Sequence, residues 1–145
     1  MDGHIPGGNG LPADRLGDVV VPATLLYVGL FALLSVFLAN HVLYARLRAR
    51  SLPAWRAQAA ERVQGNFVEN VPLALVLMYV VEISGVHPQI IHAAGVSLLL
   101  LRCLHAWGLA RHEGANYPRL IGAQGTFVWM SIMGMLAILL WSGWF

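Results

Sequence analysis

Four long apolar runs, separated by short polar stretches, set the pattern of this chain. The first extends from about Val19 to Tyr44 and is broken only by Pro22, Asn40 and His41. The second covers about Phe67 to Ser84, in a helix expected to begin near Pro53, outside the lipid. The third covers about Ile90 to Ala110 and the fourth about Leu120 to Phe145. Runs of this length approach or exceed the roughly 20 residues that cross a bilayer as a helix. The pattern therefore predicts an all-α integral membrane four-helix bundle. Ser84-Gly85-Val86-His87-Pro88 is a tight turn, so spans two and three should be antiparallel neighbours. Residues 1–18 are Gly- and Pro-rich and read as a short flexible tail; residues 19–145 read as one membrane domain without internal repeats.

One segment breaks the apolar rule. Arg62, Asn66 and Glu69 enter the second span, and at about 100° per residue they share an arc of roughly 60° on one helix face. A charged side chain at the bilayer centre costs roughly 2.5–3.5 kcal/mol on insertion scales. Such residues usually face a protein interior or a polar cavity. Arg102 and His105 share a face of span three at i, i+3. Arg119 stands at the mouth of span four, and Arg46 and Arg50 lie at the end of span one.

Composition sharpens the membrane reading. Only 11% of the 145 residues are charged, against about 25% in a soluble domain, and 58% are hydrophobic. All nine basic residues are arginine, and no basic stretch outside the spans is long enough to track phosphates, so nucleic acid is not an expected partner. Arg46, Arg48, Arg50, Arg56 and Arg62 lie at or near the first connection, Arg111 and Arg119 flank the third, and the second has no Arg or Lys. The positive-inside rule makes the basic side cytoplasmic. Trp141 and Trp144 fit the opposite interfacial belt. Cys103 excludes an intrachain disulfide because it is the only cysteine, and its apolar surroundings favour an inert packing thiol. The remaining histidines show no metal-ligand spacing. Pro72 removes one helix hydrogen bond and can kink span two beside Glu69, although many membrane helices carry such a proline without any function. Gly122, Ala123, Gly125, Thr126 and Gly134 fit either close helix approach between subunits or ordinary packing.

The odd connections share a side, so the polar ends of all four spans meet at one membrane surface. Several guanidinium groups there suit carboxylates, and Glu69 suits an ammonium group. The same residues also fit a structural ion-pair network, with Arg46 to Arg56 on lipid headgroups.

Glu61-Arg62-Val63-Gln64-Gly65-Asn66-Phe67-Val68-Glu69-Asn70-Val71-Pro72-Leu73 resembles the second-helix signature of the MAPEG family, the membrane-associated proteins of eicosanoid and glutathione metabolism. Arg102-Cys103-Leu104-His105-Ala106-Trp107-Gly108-Leu109 resembles the third-helix segment of its bacterial branch, and Arg119-Leu120-Ile121-Gly122 with Thr126 the start of its fourth helix. The resemblance implies a homotrimer in a bacterial inner membrane, with glutathione bound as cosubstrate between subunits near the cytoplasmic face. By this likeness Arg62, Asn66, Glu69, Arg102 and His105 would hold glutathione, Arg46 would match a first-span arginine, and Arg119 would stabilise the thiolate. The implied activity is conjugation of glutathione to lipophilic electrophiles, with possible reduction of lipid hydroperoxides, and no metal. This sequence departs from the eicosanoid synthases at Gly65, Asn70 and Leu109, where a basic residue and two tyrosines occur in various members. Two other readings stand beside it: a non-catalytic scaffold or lipid-binding protein, and a small proton-coupled exporter working through Glu69.

Overall fold

A computed structural model describes residues 21–111 and 113–143. It contains four α-helices: α1 (Ala23–Leu47), α2 (Ala54–Ile83), α3 (Pro88–Arg111) and α4 (Tyr117–Trp141). Each is long and apolar enough to cross a membrane. The expected tail and Trp144 lie outside the described residues.

Proline marks every helix start. Pro22 and Pro53 precede α1 and α2, Pro88 opens α3, and Pro118 lies in the first turn of α4. A proline there loses no helix hydrogen bond, because the first N–H groups have no intrahelical partner, and its fixed φ suits the helix. Pro72 is different. It lies inside α2, which continues through it as one helix from Ala54 to Ile83. The α2–α3 turn works as the sequence predicts: Gly85 takes φ +95°, and α2 packs against α3.

The core is built on α2. Val63, Phe67, Val71, Ala74, Met78 and Val81 recur at three- and four-residue spacing and are all buried. They pack with Tyr27, Phe31 and Leu38 of α1, Ile91 and Leu98 of α3, and Trp129 and Met133 of α4. Helix α1 touches α2 and α3 but not α4 among the described residues, so α1 and α4 flank the central pair. The outward faces of all four helices carry large exposed apolar side chains, which suits lipid contact.

Polar bonds pin the end of the bundle remote from the arginine-rich connections. Glu82, near the C-terminus of α2, accepts from the backbone N–H groups of Ala23 and Thr24 at the start of α1. A carboxylate is favourable there, where unpaired N–H groups and the helix dipole meet it. The Tyr27 hydroxyl donates to the His92 carbonyl at 3.0 Å, and Trp129 Nε1 donates to Ala94 O at 3.0 Å. Cys103 does not pack inward; it is exposed on the outer surface of α3, where the bilayer tolerates an apolar thiol as readily as a core does.

Candidate ligand-binding site

The polar residues of α2, α3 and α4 converge on one open cavity of about 300 Å³. Arg62, Gly65, Asn66, Glu69, His105, Leu109 and Arg119 line it. Three helices therefore deliver side chains that lie up to 57 positions apart in sequence.

Close contact between α3 and α4 makes this possible. A Cβ added to Gly122 would sit 2.6 Å from His105 N and Cβ, and one added to Gly108 would sit 2.5 Å from Arg119 N. Only glycine lets these backbones approach so near. The crossing is fixed by two side chains. Asn116, the N-cap of α4, accepts from Arg119 N at 2.9 Å and donates through Nδ2 to Gly108 O at 2.8 Å. His105 Nδ1 lies 3.0 Å from Arg119 O. A carbonyl only accepts, so Nδ1 is the donor, and a neutral ring keeps its lone pair on Nε2.

Arg102 is 3% exposed and stands behind the cavity. Its Nη2 donates to Asn66 Oδ1 at 2.8 Å. Since guanidinium only donates, this bond orients the amide and leaves Asn66 Nδ2 as a donor for a ligand. A hydrogen bond to a charged group contributes about 1.5–3 kcal/mol, so the pair also stabilises the bundle. Asn70 turns back onto Asn66 O at 2.9 Å.

Arg62, Glu69 and Arg119 make no side-chain hydrogen bond or ion pair among the described residues. Two cations and one anion thus line the cavity, and Arg102 adds a third cation behind it. Glu69 is exposed on the chain's outer face rather than deep within it. Arg46 lies elsewhere. Its Nε pairs with Glu61 Oε1 at 2.9 Å, with both side chains well exposed, a geometry that contributes about 0–1 kcal/mol. Of the expected residues, then, Arg62, Asn66, Glu69, His105 and Arg119 meet in one cavity, Arg102 supports it, and Arg46 is outside it.

The sequence reading missed Asn116, whose bonds fix the first turn of α4, where Arg119 lies. An asparagine just ahead of Tyr117-Pro118 is a recognisable N-cap signal. Gly65 and Leu109, two of the three departures from the synthases, both line the cavity. Among the described residues no group of three or more His, Cys, Asp or Glu side chains is arranged to hold a metal.

The sequence model of the MAPEG family matches residues 24–141. Over 84 residues the chain is 34% identical to the inner membrane protein YecN of Escherichia coli K12, and equally to YecN of a second E. coli strain, O6:H1. That alignment covers 58% of this chain and 61% of YecN. No solved structure matches.

Proposed function

The chain belongs to the MAPEG family, and from that premise we propose that it is a membrane-bound transferase that conjugates glutathione to lipophilic electrophiles. The observation that carries this reading is the cavity in which Arg62, Glu69 and Arg119 stand without partners among the described residues. Glutathione bears two carboxylates and one ammonium group. Arg62 and Arg119 supply guanidinium groups, Glu69 supplies the carboxylate for the amine, and Asn66 Nδ2 supplies a neutral donor. With Arg102 the site carries a net charge of +2, which opposes that of the thiolate form, −2.

The chemistry follows from that charge balance. A guanidinium beside sulfur favours the thiolate, and the thiolate is the nucleophile. Arg119 takes that role. His105 Nε2 is available to receive the thiol proton. The thiolate then forms a carbon–sulfur bond to the electrophile while the leaving group departs with its electron pair, or an epoxide opens. An apolar electrophile reaches the site from the bilayer.

The same proposal includes a homotrimer in an inner membrane, with the arginine-rich connections cytoplasmic. The cavity's openness on the chain's outer face supports a neighbouring subunit as its missing wall. Arg46 is turned away from the cavity of its own chain, so any contact with glutathione requires that neighbour. YecN's description as an inner membrane protein supports the location. The test is glutathione consumption with an activated chloroarene by protein purified in mild detergent. Wild type should turn over, and Arg119→Ala should lose activity while retaining its oligomeric size. Equal activity in the two would refute the role given to Arg119, and an inactive wild type that also fails to bind glutathione would leave a scaffold as the better reading.

A further inference from the structure

A second cavity, of about 450 Å³, opens at the same end of the bundle and shares no lining residue with the first. Phe37 and Leu38 of α1 and Ala59, Ala60, Val63 and Ala106 of the neighbouring helices make its body apolar. Among the described residues no carboxylate lines it. Of the aromatic residues on its wall, Tyr44, Trp55 and Trp107 come from α1, α2 and α3 respectively.

Each of these rings carries an arginine. The guanidinium of Arg48 lies 5.4 Å from the Tyr44 ring centre, that of Arg56 5.5 Å from Trp55, and that of Arg111 5.7 Å from Trp107. Such contacts favour a cation over a ring face. None of the three guanidiniums forms an ion pair or side-chain hydrogen bond among the described residues. Their N–H donors therefore remain available to an anion. Tyrosine and tryptophan belong at the headgroup level of a bilayer, where an arginine meets phosphate. An apolar hollow with Arg56 in its lining, and Arg48 and Arg111 stacked on two of its wall rings, matches an anionic amphiphile: chain inside, headgroup beside the cations.

We propose that this cavity binds an anionic phospholipid of the surrounding bilayer, with an acyl chain between α1, α2 and α3 and its phosphate among Arg48, Arg56 and Arg111. The site is separate from the thiol cavity and does not depend on its assignment.

The experiment is tryptophan quenching in phosphatidylcholine vesicles containing a small fraction of brominated-chain lipid. Trp55 and Trp107 line the cavity and report chain occupancy. Brominated phosphatidylglycerol should quench in a saturable manner, well beyond brominated phosphatidylcholine at the same fraction. Removing one arginine, as in Arg56→Gln, should lower the preference about fivefold, since each contributes on the order of 1 kcal/mol at a charged membrane surface. Ala106→Phe, or Ala110→Phe on the exposed side of the cavity should the first fail to fold, should abolish the excess by filling the space and leave the arginines in place. Equal quenching by the two lipids would overturn the proposal. So would a preference that survives the filled cavity, because the headgroup alone would then explain it.

Discussion

Replacing Gly122 by alanine tests how the site is held. The new Cβ would lie 2.6 Å from His105 N and Cβ, about 0.8 Å inside ordinary contact. Those atoms belong to the opposing helix backbone and its first side-chain carbon, so no rotamer change relieves the overlap. Helices α3 and α4 must separate instead. Gly134→Ala is the matched control: it lies on the same helix, and its Cβ would meet nothing within 4 Å. Both variants gain the same helix preference of about 0.5–1 kcal/mol over glycine. Only Gly122→Ala adds overpacking, which costs about 1–3 kcal/mol. At roughly 4 °C per kcal/mol for a chain of this size, Gly122→Ala should melt roughly 4–12 °C below Gly134→Ala in the same detergent. The separation also stretches the bond from His105 Nδ1 to Arg119 O, so glutathione binding should weaken in Gly122→Ala alone. Thermal unfolding followed by circular dichroism reads the first effect, and a glutathione titration the second. Equal melting temperatures would refute the close-approach argument.

Asn116→Ala removes the α4 cap, which contributes about 1 kcal/mol, and it should lower the melting temperature and weaken glutathione binding together; unchanged binding would show that the cap does not position Arg119. Asn66→Ala strands the buried Arg102 guanidinium without its acceptor and should destabilise by about 1.5–3 kcal/mol, a loss that thermal unfolding should reveal and whose absence would mean Arg102 finds another partner. Glu82→Gln weakens the capping of α1 and should lower stability by about 0.3–1 kcal/mol, yet leave glutathione affinity unchanged because Glu82 lies at the opposite end of the bundle. A fall in affinity there as large as for Asn66→Ala would contradict the separation of the two ends.

The spans were legible because lipid demands long apolar runs, and proline, glycine and arginine punctuate them clearly. The polar face was legible for the opposite reason: Arg62, Asn66 and Glu69 stand out where such residues are costly. Cys103 shows where this logic stops. In a membrane helix the lipid-facing side is as apolar as the core, so hydrophobicity does not tell the two apart, and the thiol faces outward. Glu82 is not legible in the sequence, because a carboxylate near a helix end reads as an ordinary interfacial residue. Its acceptor role exists only because folding brings the start of α1 beside the end of α2, 58 to 59 positions away. Arg46 stands with the other arginines in sequence, at the end of span one. Its nearest opposite charge, Glu61, comes from the far side of the first connection and draws it away from the cavity.

The most direct test of the central claim is a glutathione titration of detergent-purified protein, followed by the near-ultraviolet absorbance of the bound thiolate, beside Arg119→Ala. A thiol-activating site predicts a saturable signal in wild type that disappears in the variant. An intact wild type that gives no signal would contradict the claim, and the cavity's charged residues would then serve another ligand or the structure alone.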